Sequence, residues 1–248
     1  MLKLLLRPRP KPIEKNKLAF LAKAKNDTFK AHGETYTFYH WKGTGPSILL
    51  LHGWESNSSR WRPLIKQLKE NNYNIYALDG PAHGNSSGNE FTPILFAEAA
   101  HHVIESKQID IILGHSAGGF ASLYYLSAYT SISLKKAVIL APTYSMEDVF
   151  KGMKKILSLS TRSIDALRKH FIQVYDVIPE EFNSVNFIQS VDIPTLLIHD
   201  VDDLTLPIIG SDKIAEAWKS CRYEKTSGYG HRLRHTSVDA MIIEFISD

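Results

Sequence analysis

The strongest chemical signal in the sequence is a serine between two glycines. Ser116 is the centre of the pentapeptide Gly-His-Ser-Ala-Gly at residues 114–118, which follows a short and largely β-branched apolar run at 109–113. The run is typical of a strand buried on both faces, and the apolar spacing after the pentapeptide predicts a helix. A serine in a sharp turn between a strand and a helix presents its hydroxyl above the sheet. We therefore interpret Ser116 as a nucleophile; an ordinary glycine- and serine-containing loop is the alternative.

A carboxylate that could support this nucleophile lies downstream. The apolar run at 195–198 predicts a strand, and the loop that follows it contains Asp200, Asp202 and Asp203. Serine catalysis needs one carboxylate near an imidazole, where it fixes the tautomer and stabilises the charged form. The residue types alone leave the choice among the three open, since the others can act as turn residues or helix caps.

The candidate base is His231, in the loop after the last predicted strand at 223–226. Ligands of open α/β sheets bind at the carboxyl ends of strands, which is where this loop begins. The chain order serine, acid, histidine is typical of hydrolases and differs from the two protease orders. A plain loop histidine is one alternative. A metal pair with His235 is another, but two arginines between the histidines disfavour a cation, and no His-Glu-x-x-His pattern is present.

The end of another predicted strand could supply backbone N–H groups that stabilise the negative charge developing on the substrate oxygen. The apolar run at 48–51 predicts a central strand that ends in the tripeptide His-Gly-Trp at 52–54. A glycine at this point lets the loop fold back closely. We therefore expect the backbone amide of Trp54 to face the Ser116 turn together with the amide of Ala117. Two such amides would form an oxyanion hole.

These residues lie at the ends of predicted strands that alternate with helices. An alternating segment around residues 28–39, with a turn at 32–34, predicts an antiparallel hairpin. The other predicted strands lie at residues 48–51, 75–78, 109–113, 137–140, 195–198 and 223–226. Repeated strand–helix units favour an α/β fold, with a mostly parallel sheet covered by helices on both faces.

A segment without strands interrupts this alternation before the strand that carries the acid. Helical patterns replace the strands there, around residues 146–157, 163–175 and 179–190. We interpret the segment as a small helical lid that selects substrates and excludes water. The indole of Trp54 is expected either to line the substrate site or to pack against this lid. The predicted organisation is a solvated, basic and proline-rich arm with a short helix around 18–25 (residues 1–27), the first part of the core (28–141), the lid (142–193) and the second part of the core (194–248).

The composition limits the classes of partner and compartment. The 248 residues are 44% hydrophobic and 22% charged, with a net charge of +3 and the basic residues dispersed except near the N-terminus, which predicts no nucleic-acid partner. The first apolar run stops after three leucines, so we expect neither a signal peptide nor a membrane span. A single cysteine, Cys221, favours a reducing compartment, and we predict a cytoplasmic protein. No cofactor and no metal is predicted, and the oligomeric state is left open.

Four features in order resemble the α/β-hydrolase superfamily: the His-Gly-Trp tripeptide, the Asp-Gly-Pro-Ala-His-Gly-Asn-Ser loop at 79–86, the pentapeptide around Ser116, and the pair Asp203 and His231. The resemblance covers nearly the whole chain from about residue 28. In the 79–86 loop, His83 has the residue type of a base, but the glycines and proline around it favour a structural role in fixing the loop.

The resemblance implies which carboxylate is the acid. Many members carry a His-Gly-x-x-Asp-x-x-Val-Pro pattern after the lid; laid on residues 199–207, it selects Asp203. This sequence departs from it at Asp200, where the family usually has glycine, and at Leu206, where it often has valine, so Asp200 and Asp202 remain alternatives.

The resemblance also implies an activity but says little about the substrate. We expect a lidded, carboxylesterase-like serine hydrolase that cleaves an ester or thioester of a small molecule through a Ser-His-Asp triad and an acyl-enzyme. The alternatives are a C–C bond hydrolase or lyase that uses the same residues, and a small-molecule binding or signalling protein with little turnover.

Overall fold

An eight-stranded sheet runs through the part of the chain that the computed structural model describes, residues 5–9 and 12–248. Its strands are β1 (Lys25–Ala31), β2 (Glu34–Trp41), β3 (Ser47–Leu51), β4 (Asn74–Leu78), β5 (Ile111–His115), β6 (Lys136–Leu140), β7 (Thr195–Asp200) and β8 (Cys221–Thr226). They are ordered β1-β2-β4-β3-β5-β6-β7-β8 across the sheet. Neighbouring strands from β4 to β8 pair in parallel, whereas β1 pairs with β2, and β2 with β4, in antiparallel fashion. The predicted α/β fold with a mostly parallel sheet is therefore confirmed.

The hairpin expected near the start of the chain is formed by β1 and β2. His32 and Gly33 join the strands with φ values of 51° and 77°. A two-residue turn with both residues left-handed matches the twist of the strands that it connects. β1 begins at Lys25, so the last three residues of the segment predicted as an arm belong to the sheet.

Helices cover both faces of the sheet, as predicted. They are α1 (Lys15–Leu21), α2 (Arg62–Glu70), α3 (Pro93–Lys107), α4 (Ala117–Ala128), α5 (Met146–Ile156), α6 (Thr161–Tyr175), α7 (Ser184–Phe187), α8 (Ile209–Ala217) and α9 (Thr236–Ser247), with 3-10 turns at Ser58–Trp61 and Ile188–Ser190. Alternate residues of β3 show why both faces must be covered. Leu50 packs with α2 and α9, while Leu49 and Leu51 pack with α3 and α4, and none of the three is exposed.

Residues 142–193, here called the helical insertion, pack against the helix that follows Ser116. Phe182 and Phe187 of the insertion lie with ring centroids 5.5 Å from that of Phe120 in α4. Two of the predicted helices correspond to α5 and α6. The third prediction is wrong at its start: residues 179–181 form a turn, Asn183 forms an antiparallel bridge with Ser145, and a helix begins only after Asn183, whose side chain accepts from the Asn186 amide as an N-cap.

The N-terminal segment packs against the body, in contrast to the solvated arm that the sequence predicts. Leu6 is buried at 5% exposure, and its carbonyl oxygen accepts a hydrogen bond from the Phe91 amide at 2.9 Å. The Arg9 guanidinium binds both carboxylate oxygens of Glu55, at 2.6 and 2.7 Å. The short helix α1 also begins before the expected position. Residues 1–4 and 10–11 of the predicted arm lie outside the described residues. Among the described residues, no helix is both long and apolar enough to cross a membrane.

Candidate active site

Ser116 joins β5 to α4 in a strained turn. Its φ of 56° and ψ of −120° are a combination that costs a non-glycine residue on the order of 1–3 kcal/mol. The two flanking glycines make the turn possible. A Cβ on Gly114 would overlap the carbonyl oxygen of Gly118, and a Cβ on Gly118 would overlap the carbonyl oxygens of Leu51 and His52. The turn therefore needs glycine at both positions, and it fixes the Ser116 hydroxyl immediately before the first turn of α4.

The structure brings together the three residues that the sequence proposes as nucleophile, base and acid. His231 Nε2 lies 3.0 Å from Ser116 Oγ, and His231 Nδ1 lies 2.7 Å from Asp203 Oδ2. Because the Asp203 carboxylate can only accept when ionised, Nδ1 is the donor, and Nε2 is left to accept the serine proton. The imidazole therefore has the tautomer that general-base chemistry at Ser116 requires.

Asp203 is held ionised at the bottom of this arrangement. Burial opposes its ionisation, but hydrogen bonds from His199, His231 and the Leu206 amide outweigh burial and hold the pKa of Asp203 well below its usual range. Its second oxygen, Oδ1, accepts from the amides of Thr205 and Leu206 at 2.7 and 2.9 Å. Asp203 can therefore stabilise a positively charged imidazole at neutral pH.

The other two carboxylates of this loop accept hydrogen bonds from backbone amides and hydroxyl groups instead of from the imidazole. Asp200 Oδ2 accepts from the Thr226 hydroxyl at 2.7 Å and from the Tyr229 amide at 3.0 Å. Asp202 Oδ2 accepts from the Gly228 amide at 2.8 Å. Both carboxylates therefore fix the loop that leads to His231, and neither has a hydrogen bond to the ring of His231 among the described residues.

The loop after β3 approaches Ser116 as closely as its glycine allows. A Cβ on Gly53 would lie 3.0 Å from Ser116 Cβ and 3.3 Å from the His115 carbonyl oxygen. Within residues 5–9 and 12–248, no acceptor takes the backbone N–H of Trp54 or of Ala117. Two unpaired amides beside a nucleophile are the donors that an oxyanion requires.

Two buried histidines brace this loop. His52 Nδ1 donates to the Gly53 carbonyl oxygen at 2.7 Å, and its Nε2 accepts from the Gly80 amide at 2.9 Å. His83 Nδ1 donates to the Pro81 carbonyl oxygen, and its Nε2 accepts from the Glu55 amide at 2.9 Å. Burial lowers the pKa of His52 to about 4 and that of His83 to about 3. Both rings are therefore neutral braces, and the structural role predicted for His83 is confirmed.

The sequence leaves two alternatives for the indole of Trp54, which are lining the substrate site and packing against the lid. It is 42% exposed, and its ring packs edge-on against His83 and Phe91, which belong to the core. No ring contact with the helical insertion is present in the described part of the chain. The indole therefore lies partly exposed at the surface, against His83 and Phe91.

Comparison with known proteins assigns the fold family. Residues 46–169, which are 124 of the 248 residues, match the family model described as the alpha/beta hydrolase fold. The chain belongs to the α/β-hydrolase family. The solved structure of Est1E from Butyrivibrio proteoclasticus with ferulic acid bound has a TM-score of 0.74 and 18% identity, and the match covers 90% of this chain and 100% of that chain. At this identity the likeness concerns the fold.

Curated relatives of this α/β hydrolase match over different lengths. A pimeloyl-[acyl-carrier protein] methyl ester esterase of Xylella fastidiosa is 31% identical over 101 residues, which are 41% of this chain and 38% of the relative. A non-heme haloperoxidase of Rhodococcus erythropolis is 23% identical over 262 aligned positions, which cover 86% of this chain and 95% of the relative. The match to the esterase thus spans less than half of that relative's length.

In this α/β hydrolase, two further histidines contact the site without having been singled out in the sequence. His199 Nε2 donates to Asp203 Oδ2 at 3.1 Å and to the Leu206 carbonyl oxygen at 3.0 Å, while Nδ1 accepts from the Ser211 hydroxyl at 2.7 Å. His199 therefore positions the carboxylate of Asp203. The family pattern at residues 199–207 begins with this histidine, and its place in that pattern is the sequence feature that could have pointed to a role for His199.

His115 is the second of these residues. Its Nε2 donates to the carbonyl oxygen of His231 at 2.8 Å, and the two ring centroids are 4.9 Å apart. Burial, together with the nearby Arg60 cation, lowers the pKa of His115 well below its usual value. His115 therefore fixes the backbone of His231 as a neutral donor. Nothing in the Gly-x-Ser-x-Gly pattern distinguishes this position.

Proposed function

We propose that this α/β hydrolase cleaves a carboxylic ester or thioester of a small molecule by serine chemistry. The observation that carries the proposal is the continuous hydrogen-bond chain from Ser116 through His231 to Asp203, with the imidazole in the tautomer of a general base. The esterase relative from Xylella fastidiosa supports the choice of an ester-type bond. The proposed steps use no cofactor and no metal.

The first half of the reaction transfers the acyl group to Ser116. Oγ attacks the acyl carbon while His231 Nε2 takes the hydroxyl proton, and the carbonyl π electrons move onto oxygen. The amides of Trp54 and Ala117 bind this oxyanion, each being worth about 3 kcal/mol of the barrier. Asp203 stabilises the imidazolium. The tetrahedral intermediate then breaks its bond to the alcohol or thiol, which leaves with the proton from His231.

The second half of the reaction releases the acid. A water molecule gives a proton to His231 Nε2 and attacks the acyl carbon, and the same two amides bind the second oxyanion. The carbon–Oγ bond breaks, and Ser116 recovers its proton from the imidazolium. Ser116, His231 and Asp203 return to their starting states, so the cycle consumes only water.

The helical insertion is proposed to act as the lid over this site. Phe182 and Phe187 pack on Phe120, which lies one helical turn after Ser116. A segment attached at this point limits the acyl or alcohol groups that reach the serine and excludes water from the acyl carbon. For the compartment, we propose the cytoplasm because Cys221 is the sole thiol.

Replacement of Ser116 tests the reaction directly. We expect Ser116→Ala to lower turnover of p-nitrophenyl acetate and of an acyl thioester by roughly 10⁶-fold, since the nucleophile is lost. It should also abolish labelling by a fluorophosphonate probe. Ser127→Ala is the matched control, because Ser127 is an exposed serine of α4. Unchanged turnover in purified Ser116→Ala would disprove the proposal.

The same assay separates ester cleavage from C–C bond cleavage. The wild-type enzyme is given esters, thioesters and a β-diketone at equal concentration, and kcat/KM is compared. We expect the oxygen and sulfur esters to be preferred because alcohols and thiols leave more readily than carbon. A preference for the diketone would replace the proposed bond class while leaving Ser116 as the nucleophile.

A further inference from the structure

Arg60 is a buried cation that has no counter-ion in the described part of the chain. It is 8% exposed, and its Nη2 donates to the Arg232 carbonyl oxygen at 3.0 Å. Its guanidinium also lies 4.5 Å from the ring centroid of Trp61. The Nε atom is buried and without an acceptor among the described residues. The charged side chains that most lower the pKa of Arg60, after burial itself, are the cations Arg234 and Arg232. An unpaired charge in such a place is strongly unfavourable unless an anion joins it.

A second buried donor lies beside this cation. The indole Nε1 of Trp61 is buried and has no acceptor in the described residues. Buried tryptophans usually pair this group, so its lack of a partner needs an explanation. Arg60 and Trp61 both line one cavity of about 150 Å³, between the Ser58–Trp61 turn with α2 and the start of α9. The two residues that carry these unsatisfied donors thus line the same cavity.

The rest of the wall is partly charged and partly apolar. Arg234 adds a second guanidinium, and the apolar part includes Leu64, Leu140 and Leu233. Asp239 is the one carboxylate on this wall, and it accepts a hydrogen bond from the Gln67 amide group at 2.9 Å. Two arginines against one carboxylate leave the wall with a net positive charge, so an anion is favoured over a cation or a neutral ligand.

We propose that this cavity binds a small organic carboxylate, with the carboxylate on Arg60 and the hydrocarbon part on the leucines. A guanidinium matches a carboxylate by two parallel N–H···O hydrogen bonds. An engineered cavity of about 150 Å³ in another protein holds benzene, so this volume accommodates the ring of benzoate. Ser116, His231 and Asp203 are not among the residues that line the cavity, and the inference does not depend on the proposed hydrolysis.

Tryptophan resonances provide a readout that needs no enzyme activity. The chain has four tryptophans, and a ¹⁵N-edited NMR spectrum gives one indole signal for each. Trp61→Phe identifies the signal of Trp61. Benzoate is then titrated into the full-length wild-type protein. We expect a saturable shift of the Trp61 indole signal, because Trp61 lines the cavity.

Matched arginine variants test the role of Arg60. Arg60→Met keeps the length of the side chain but removes its charge, and it is expected to weaken benzoate binding by roughly tenfold or more. Arg62→Met is the control, because Arg62 is exposed and does not line the cavity. If Arg60→Met fails to fold, Arg60→Lys and Arg234→Gln replace it. Each is expected to weaken binding, since one loses the planar fork and the other loses the second cation.

Three results would overturn the proposal. The first is no saturable shift of the Trp61 signal. The second is equal benzoate affinity in the wild type and in the arginine variants that fold. The third is a site that binds inorganic phosphate more tightly than benzoate in a parallel titration, which would exclude an organic carboxylate as the favoured ligand.

Discussion

The histidines around Ser116 form two groups that differ in what their ring nitrogens contact. His52, His83 and His115 are buried, and each donates to a backbone carbonyl oxygen. Burial lowers the pKa of all three. His231 donates instead to the carboxylate of Asp203, and its other nitrogen faces Ser116. The carbonyl partners leave these three imidazoles as neutral structural groups, while His231, with a carboxylate at one nitrogen and Ser116 at the other, is prepared to accept a proton.

The largest difference between the two groups should appear when His231 is removed. We expect His231→Ala to lower kcat for ester hydrolysis by roughly 10⁶-fold, because no other side chain among the described residues has a hydrogen bond to the Ser116 hydroxyl. His102→Ala, on an exposed position of α3, is the matched control and should keep wild-type turnover. Steady-state kinetics of both variants measure the effect. Substantial activity in His231→Ala would mean that another group is the base.

Changing the partner of His231 should have the next largest effect. Asp203→Asn keeps the size of the side chain but presents an amide, which favours the wrong tautomer of the imidazole, and kcat should fall by roughly 10⁴-fold. Asp202→Asn is the comparison, since Asp202 contacts the loop backbone and an amide oxygen can still accept there. We expect it to lose about tenfold or less. Equal losses in the two variants would contradict the assignment of Asp203.

The smallest effect should come from His83, one of the histidines that bind backbone, and it should appear in the free energy of unfolding. The pKa of His83 is about 3 in the folded protein and 6.5 in its ordinary state. The unfolded chain therefore binds the extra proton as pH falls below 6.5, and stability is lost. Between pH 7 and pH 5 the loss due to His83 should be roughly 2 kcal/mol.

A denaturation experiment at the two pH values isolates this contribution. His83→Gln keeps an acceptor for the Glu55 amide but cannot titrate, so urea denaturation should show a smaller difference between pH 7 and pH 5 than in the wild type. His32→Gln, at a side chain that is 61% exposed, is the control. If His83→Gln leaves the pH difference unchanged, the His83 ring is not held neutral by burial.

Local patterns were sufficient to predict most of the fold. The alternation on either side of His32 and Gly33 predicts the hairpin, and the continuous apolar runs predict the central strands, because both reflect which faces of a strand are buried. Turn chemistry was less decisive in the helical insertion. There the last helix of the insertion begins only at Ser184, after the Asn183 N-cap, and the apolar spacing before Asn183 does not indicate this cap.

The candidate site was accessible to sequence reasoning where its residues end strands. Ser116, Asp203 and His231 lie in loops at the carboxyl ends of parallel strands, so the topology alone brings them to one edge of the sheet. Their catalytic roles remain predictions. His199 and His115 could not be assigned in the same way, because their partners, Asp203 and the backbone of His231, are determined by tertiary packing. The same holds for Leu6, whose burial depends on residues far along the chain.

Two separate loops pack closely together at Ser116 because each has a glycine where they meet. Gly118 leaves room for the carbonyl oxygens of Leu51 and His52, while Gly53 leaves room for the Ser116 side chain. A substitution on one side therefore needs a compensating displacement on the other, although more than sixty residues separate the two loops. We therefore expect residues 51–54 at the end of β3 and the pentapeptide at 114–118 to change together in evolution. We expect homologous chains to keep both or to change both, so the pair is a more selective search pattern than either motif alone.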